Sequence, residues 1–429
     1  MIGHRKLSAL MAFPHSHLAT SVILFAFLFS LSGCFREGYY RTQISSVPCS
    51  RNCDNASLIV NSEHEYALGF VELDDQGQFY DQGQVEVLLN WLKQASQPQY
   101  VVLFVHGWHH NANDSDFNVR RFKDALKDVK THNPGHRVTG IYVGWRGETL
   151  TVPWLRALTF WDRKQVSEEV GRNALLDFLL RVEALVKSEP HTQNRLLSVG
   201  HSLGASVLFN ALHPVLLQRL VQPVDHSVRS GYGDLVVFVN PAFEAMRFSA
   251  IHAAAQRYSQ EFGYSRQQNP LLVVATSEAD TTTKNTFAFS RTLTAVFEEH
   301  RFIDPTLSEW ELDTTAVGHF NQYITHRLTI KNPMLTVDNC TANPGGLGPI
   351  STKPHSQTQE DQAGFKATFL SAAFNNLELQ HLQNSAPYDP YWVIQADKSI
   401  LPSHGFVNQK PLWCFIDAMV NRVQLVARS

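Results

Sequence analysis

The chain contains one serine whose neighbours are typical of a catalytic nucleophile. Ser202 is the central residue of GHSLG at 200–204, which follows the apolar run 196–199 and precedes the helix-compatible segment 205–209. Strand, tight turn and helix in this order predict a nucleophile elbow, whose strained turn pushes the serine Oγ out of the edge of a sheet. Side chains in place of the two glycines would collide with a neighbouring strand or helix. The backbone N–H of Leu203, where the helix starts, would donate to a developing oxyanion.

The rest of the chain predicts the sheet that positions this serine. Near-continuous apolar runs occur at 100–105 (YVVLFV), 138–143 (VTGIYV), 234–240 (DLVVFVN) and 270–276 (PLLVVAT), and helix-like segments separate them. Such runs indicate strands that are buried on both faces of a parallel sheet. The alternation predicts an α/β protein with a doubly wound, mostly parallel sheet, and places its active site at the carboxyl ends of the strands.

The loop after the 100–105 strand begins with His106, Gly107 and Trp108. This His-Gly pair and the turn around Ser202 resemble the α/β-hydrolase superfamily, in its serine esterase and lipase-like branch, over residues 100–429. The resemblance implies that the N–H of Trp108 is a second oxyanion donor beside that of Leu203. It also implies an acyl-enzyme mechanism that uses no cofactor.

The resemblance further implies the chain order serine, acid, histidine. Asp280 follows the 270–276 strand, two strands beyond the serine strand, where this superfamily carries its acid. The run SEADTT at 277–282 is similar to the acid loop of poorly characterised bacterial members. Glu278, two residues nearer the strand, is the competing acid.

Two histidines after Asp280 have a context that suits a general base. His404 lies between the apolar run 391–396 (YWVIQA) and a C-terminal amphipathic helix, where the resemblance places the catalytic histidine. His319 is the alternative. We expect His404 to take the Ser202 proton and Asp280 to orient the resulting imidazolium.

Several other segments have a predicted role in this hydrolase domain, which we assign to residues 63–429. The connection 281–390 is longer than two neighbouring strands need, and predicts a cap or lid before the last strand. Asp114 or Ser115 is expected to cap a helix that reaches about Lys130. Arg146 ends a strand and could meet an anionic substrate group, although an ion pair that pins its loop is the simpler interpretation.

The N-terminal residues predict an exported, lipid-anchored protein. Three basic residues precede an apolar run at 22–29, which ends in LSGC at 31–34 and is short for a permanent membrane helix. The tetrad resembles the lipobox of bacterial lipoproteins, whose cysteine thiol receives a diacylglyceryl group before cleavage. It implies a signal peptide at 1–33, a mature protein that begins at the lipid-bearing Cys34, and a polar tether at 34–62.

An uncleaved anchor helix and a plain secretory signal are the alternatives to a lipoprotein. Phe35 follows the cysteine, where an aspartate would retain a proteobacterial lipoprotein in the inner membrane. We therefore expect the periplasmic side of the outer membrane. The acyl chains would hold the protein on the membrane surface while its body stays in water.

Composition excludes several classes of protein and partner. The 429 residues are 44% hydrophobic and 17% charged with a net charge of −3, which is typical of a globular domain and gives no electrostatic case for nucleic acid. Five cysteines do not form a disulfide scaffold. Cys49 and Cys53 are either a short-loop disulfide or two free thiols, and Cys414 is expected to be a buried thiol.

A metal site is not expected. His109, His110 and Asp114 lie close together in the sequence, but adjacent histidines do not easily face one ion, and no H-x-x-x-H spacing accompanies them. Hydrogen bonds that shape the oxyanion loop are the better interpretation of these histidines.

The sequence thus favours a lipid-anchored serine hydrolase that acts on small-molecule or lipid carboxylic esters at the bacterial cell envelope. The motif specifies no substrate, because the same residues serve esterases, lipases, thioesterases, amidases and peptidases. An amidase or peptidase, and a non-catalytic binding protein on the same fold, are the alternatives.

Overall fold

The protein is built on a mostly parallel sheet of ten strands. The computed structural model describes residues 38–63, 65–149, 159–188, 193–222, 228–265, 267–304, 307–330, 377–382, 385–386, 388–405 and 409–426. The predicted signal peptide 1–33, the predicted lipid-bearing Cys34 and part of the predicted cap 281–390 lie outside these residues.

The described strands are β1 (Leu58–Asn61), β2 (Tyr66–Leu73), β3 (Gln99–Val105), β4 (Arg137–Trp145), β5 (Arg195–His201), β6 (Leu235–Val239), β7 (Leu272–Ser277), β8 (Phe302–Asp304), β9 (Leu307–Ser308), β10 (His326–Ile330), β11 (Leu377–His381) and β12 (Tyr391–Ala396). The described α-helices are α1 (Gln82–Lys93), α2 (Phe117–His132), α3 (Phe160–Arg172), α4 (Ala174–Val186), α5 (Leu203–Val221), α6 (Ala245–Glu261), α7 (Ala288–Ala295), α8 (Glu309–Thr314) and α9 (Lys410–Val426).

The spatial order of the sheet is β1-β2-β4-β3-β5-β6-β7-β12-β10-β11, and β8 and β9 form a separate antiparallel pair. The strands from β2 to β10 in this order are mutually parallel, whereas β1 and β11 run antiparallel to their neighbours. The α/β class and the mostly parallel sheet expected from the sequence are therefore confirmed.

Apolar side chains from both faces of the sheet enter two separate cores. Val101 and Leu103 of β3 face a core shared with α1, α4 and α5, whereas Val102 and Phe104 face a core shared with α2 and α9. Every residue of β3 is buried. Burial on both faces explains why these strands read as unbroken apolar runs and lack a polar–apolar alternation.

The strand order creates a crevice at one point of the carboxyl edge. After β3 the chain moves to β4 on one side, and it returns to β5 on the other side. Loops that leave two neighbouring strands in opposite directions open a ligand crevice outside the sheet. Trp108 lies in the loop after β3, and Leu203 begins the helix after β5, so the two predicted oxyanion donors border this crevice.

The described part of the predicted tether packs against the domain. β1 pairs with β2, and the backbone N–H groups of Tyr40 and Arg41 donate to Glu72 at 2.8 and 2.7 Å. The buried Arg41 guanidinium donates to the carbonyls of Ala112 and Asp54 at 2.8 and 2.7 Å. Since Glu72 is next to the last residue of β2, this segment attaches at the carboxyl edge of the sheet.

The three cysteines in the described ranges are all disulfide-bonded. Cys49 and Cys53 form a disulfide, which resolves the alternative that the sequence left open. Cys414 is buried and disulfide-bonded, so the expectation of a free buried thiol was wrong. None of the helices in the described ranges has the length and apolar character needed to cross a bilayer.

Arg41→Met should destabilise the protein by about 3 kcal/mol, because it leaves the Ala112 and Asp54 carbonyls without their charged donor. Urea unfolding followed by circular dichroism measures this change. Arg181→Met is the control, since Arg181 forms an exposed pair with Glu86 and should lose less than about 1 kcal/mol. Equal losses would mean that Arg41 does not hold the N-terminal segment in place.

Candidate active site

Ser202 occupies a strained turn between β5 and α5. Its φ and ψ angles are 56° and −121°, a conformation that non-glycine residues rarely adopt. A Cβ atom at Gly200 would lie 2.7 Å from the Cα of Ala205, and one at Gly204 would overlap the carbonyl oxygen of Val105. Glycine is therefore required on both sides of the serine, because helix and strand backbones approach the turn so closely.

The structure brings three predicted residues into one series of hydrogen bonds. The Nε2 atom of His404 lies 2.9 Å from the Oγ of Ser202, and its Nδ1 atom lies 2.8 Å from the Oδ2 of Asp280. A carboxylate only accepts, so Nδ1 carries the hydrogen and Nε2 is free to accept the serine proton. This is the geometry of a nucleophile, a general base and an orienting acid.

Asp280 is fully buried and remains a carboxylate. Burial by itself raises the pKa of its carboxyl group, but hydrogen bonds from His404 and Thr283 outweigh burial and hold the pKa below its ordinary value. The backbone N–H groups of Thr282 and Thr283 donate to its Oδ1 at 2.9 and 3.2 Å. The acid therefore enters the site charged and fixed in orientation.

The competing candidates lie elsewhere. Glu278 is exposed, and its carboxylate accepts from the backbone N–H of Lys398 at 3.3 Å. His319 bonds through Nε2 to the Oγ1 of Thr283 at 2.9 Å. Since the Thr283 hydroxyl donates its only hydrogen to Asp280, the Nε2–H of His319 must be the donor. His319 thus lies behind the acid and bonds to Thr283, whereas His404 bonds to the serine.

The predicted oxyanion donors border the serine. Leu203 is the first residue of α5, so its N–H has no acceptor within the helix. Trp108 follows Gly107, where a Cβ would lie 2.9 Å from the Cβ of Ser202. The close approach of the Gly107 backbone puts the β3 loop beside the serine turn, as an oxyanion loop requires.

His106 stabilises that loop from beneath. Its Nδ1–H donates to the Gly107 carbonyl at 2.9 Å, and its Nε2 accepts from the Trp145 backbone N–H at 3.1 Å. The ring is stacked between Tyr142 and Trp145, and burial lowers its pKa to about 4. His106 is therefore a neutral histidine that holds the Gly107 backbone in position.

Two residues that the sequence did not single out hold the backbone of His404, the candidate general base. The Nε2–H of His201 and the Nδ2 of Asn240 donate to the His404 carbonyl at 2.8 and 2.9 Å. Asn240 itself has a φ of 45° and accepts from the Ser277 N–H at 2.9 Å. Burial lowers the pKa of His201 to about 3, so its ring is neutral. The sequence signal for these two residues was their place at the ends of strands: His201 ends β5, and Asn240 directly follows β6.

An aromatic wall lies on the α3 side of the site. The rings of Trp108 and Phe160 pack edge to face with their centroids 5.2 Å apart, and those of Phe160 and Phe287 do so with centroids 6.5 Å apart. The Trp108 Nε1–H donates to the Thr159 hydroxyl at 3.3 Å, which sets the orientation of the indole. Aromatic side chains in this position favour an apolar group over a charged one.

Charged residues near the site are paired with one another. Arg146 forms an ion pair with Asp75, which also accepts from Arg163 at 2.9 Å, so the simpler interpretation of Arg146 agrees with the structure. The Nδ1 atom of His110 lies 3.1 Å from the Oδ1 of Asp116, which is the N-cap of α2. The carboxylate of Asp114 accepts a hydrogen bond from the ammonium group of Lys123. Two of the three candidate metal ligands of this loop, His110 and Asp114, therefore bond to protein partners in two separate places.

One cluster in the described part of the chain has the side chains of a metal site. Ligand atoms of Glu298, His300 and Asp313 lie within 4.8 Å of one another. The Arg291 guanidinium donates to both carboxylates at 2.7–2.8 Å. Because the Arg291 guanidinium already bonds to both carboxylates, we interpret the cluster as an ion-pair network that holds α7 and α8 together.

Neither protein-family models nor curated proteins match this chain. The functional assignment therefore depends on the residues and distances described above.

Asn240→Asp should slow the reaction of Ser202 with a fluorophosphonate by about 100-fold, because a small displacement of the base is costly to catalysis. The substitution keeps a residue type that tolerates positive φ, but it removes the donor and places a carboxylate beside the His404 carbonyl. Asn52→Asp is the control, since Asn52 has a φ of 53° and lies on the surface. Similar rates for both variants would exclude a positioning role for Asn240.

His319→Gln should make stability less sensitive to acid. Burial lowers the pKa of His319 to about 4, whereas an unfolded histidine titrates near pH 6.5. Between these values the unfolded chain binds the additional proton, so unfolding becomes easier as the pH falls, by about 1.4 kcal/mol per pH unit. Glutamine keeps a donor for Thr283 without titrating.

Urea unfolding between roughly pH 4.5 and 6 measures this difference in slope. The wild-type free energy of unfolding should fall more steeply than that of His319→Gln. Equal slopes would show that His319 already binds its proton in the folded protein.

Proposed function

We propose that this chain is a lipid-anchored serine hydrolase that cleaves carboxylic esters at the bacterial cell envelope. The observation that carries the proposal is the unbroken series of hydrogen bonds from Ser202 through His404 to Asp280. The series lies at the carboxyl edge of the sheet, beside the crevice between β3 and β5, where α/β proteins bind ligands.

The proposed reaction assigns one role to each of these groups. His404 Nε2 removes the hydroxyl proton while the Ser202 Oγ attacks the ester carbonyl carbon. The N–H groups of Leu203 and Trp108 stabilise the oxyanion, and Asp280 stabilises the imidazolium. The tetrahedral intermediate collapses, the alcohol leaves with the proton from His404, and an acyl-enzyme remains. Water then gives a proton to His404 and attacks the acyl carbon, and collapse of the second tetrahedral intermediate returns that proton from His404 to the Ser202 Oγ and releases the acid.

We further propose that the fold is of the α/β-hydrolase type with a cap. In support, the serine, the acid and the histidine follow β5, β7 and β12 in the chain order of that superfamily. Between Asp280 and β10 the described residues add a π-helix at Thr282–Phe287, then α7, the β8–β9 pair and α8. The cap interpretation rests on this insertion and on Phe287, which joins the aromatic wall.

The ester preference and the lipid anchor rest on different observations. The aromatic wall of Trp108, Phe160 and Phe287 favours an acyl chain over a polar peptide. The anchor is proposed from the lipobox-like sequence that ends at Cys34, with the outer membrane, periplasmic side, as its location. No cofactor or metal is needed for the proposed chemistry.

Fluorophosphonate labelling of purified protein tests the nucleophile and the base. Ser202→Ala should not be labelled, and His404→Ala should be labelled at least about 1,000-fold more slowly. His319→Ala should keep labelling within about tenfold, because its hydrogen bond reaches the acid only through Thr283. Loss of labelling in His319→Ala but not in His404→Ala would reverse the assignment of the base.

The same preparation separates the alternatives. Hydrolysis of acyl esters but not of matched peptide amides supports the esterase, and the reverse result supports an amidase or peptidase. A folded wild type that is never labelled would contradict the serine hydrolase and favour a binding protein.

A further inference from the structure

A row of exposed apolar side chains covers the outer side of α7 and its carboxyl end. Phe289, Leu293, Val296 and Phe297 are between 57% and 92% exposed, and we call these four residues the α7 face. Their spacing of four, seven and eight residues places them on one side of a helix. A continuous apolar patch on the surface of a protein marks a site of interaction with another apolar surface.

The α7 face is not the side by which this helix packs on the protein. Arg291 points the other way, where it forms ion pairs with Glu244 at 3.2 Å and with Asp313 at 2.7 Å. Ala295 is buried on that inner side. The helix is thus held on the domain by charges, and its apolar residues are presented to the outside.

The α7 face borders the proposed active site. The π-helix Thr282–Phe287 connects Asp280 to α7, and Thr283 within it donates to the Asp280 carboxylate. Phe287, directly before α7, is buried in the aromatic wall. The aromatic wall is therefore continuous in the chain with the helix that carries the α7 face.

The N-terminal segment reaches the same edge of the sheet. Gly38 and Tyr39 lie against Tyr80, and the next two backbone N–H groups bond to Glu72 at the carboxyl end of β2. The strands from β2 to β10 are parallel, so this edge also carries Asp280 and Glu244, which is paired to α7. Cys34 precedes Gly38 by four residues, which span at most about 14 Å.

We propose that the α7 face inserts into the lipid bilayer that holds the acyl chains of Cys34, and that the substrate is an acyl ester of that bilayer. The inference rests on the proposed function for its anchor and its chemistry. A lipid on Cys34 holds the carboxyl edge near the membrane, and insertion of the four apolar side chains then removes them from water. The ester would pass from the bilayer to Ser202 without crossing bulk water.

Phe262 provides a matched control for the membrane contact. It is 70% exposed, similar to Phe289, and it follows the last residue of α6. Because α6 begins beyond the carboxyl end of β6 and returns along the sheet to reach β7, Phe262 lies at the opposite edge. The two phenylalanines differ in position rather than in exposure.

Photo-crosslinking tests the contact without reference to activity. The full, acylated protein would carry a benzophenone amino acid at position 297 or at position 262, in vesicles of phosphatidylethanolamine and phosphatidylglycerol. We expect lipid adducts, identified by mass, from position 297 but not from position 262. Adducts from both positions or from neither would overturn the proposal, as would a crosslink from 297 to a second copy or to another segment of the chain.

Activity tests the second part of the proposal. Phe289→Ser combined with Phe297→Ser should lower hydrolysis of vesicle phospholipid by at least about tenfold, since two inserted aromatic side chains are lost. Hydrolysis of water-soluble p-nitrophenyl acetate and labelling of Ser202 should be unchanged, and Phe262→Ser should change none of the three. Equal losses on both substrates, or no loss on vesicles, would contradict bilayer delivery of the ester.

The two experiments also separate this inference from the proposed function. If Ser202 is never labelled while position 297 still crosslinks to lipid, the proposed hydrolase function is contradicted and the membrane contact of the α7 face is supported. If Ser202 is labelled and position 297 does not crosslink to lipid, the proposed hydrolase function is supported and the membrane contact of the α7 face is contradicted.

Discussion

The site depends on one strained residue, Ser202, whose backbone lies in the left-handed region at the end of β5. That conformation costs free energy of order 1–3 kcal/mol and persists only where the surrounding structure enforces it. The enforcement is steric. Gly200, Gly204 and Gly107 let the backbones of β5, α5 and the β3 loop approach the turn to distances that no Cβ would permit. The same close approach places the oxyanion loop beside the serine, so backbone strain and the proposed chemistry have a common origin.

His404, the proposed general base, reaches this serine from the loop after β12, and its position is set by residues from three other strands. His201 at the end of β5 and Asn240 after β6 share the His404 carbonyl, while Asn240 is fixed in turn by Ser277 of β7. A parallel sheet makes this possible because all of its carboxyl ends lie at one edge. The imidazole therefore has two constraints: Asp280 sets the orientation of the ring, and the shared carbonyl sets the position of the backbone from which the ring extends.

Much of this arrangement could be predicted because its signals are local. The apolar runs located the strands, for instance Gln99–Val105 and Tyr391–Ala396. The sequence predicted the start of α2 less accurately. Asp116 caps this helix, where Asp114 or Ser115 was expected, because several residues in this loop are good N-caps. The hydrogen bonds of Asn240 and His319 join residues that are far apart in the sequence, and no spacing or composition reports such pairs. The burial of Arg41 was missed for the same reason, since two of its partners, Ala112 and Asp114, come from a distant loop.

Buried charges explain why α7 presents an apolar face to the outside. Lys164 on α3 and Arg291 on α7 both pair with Glu244, and Arg291 also pairs with Asp313 on α8. A buried charge that loses its partners is strongly destabilising, so the two ion pairs of Arg291 resist rotation of α7 about its axis. Rotation would bring the apolar residues of α7 inward but would separate Arg291 from both Glu244 and Asp313. The ion pairs of Arg291 thus hold α7 in the orientation that leaves its phenylalanines exposed beside the proposed active site.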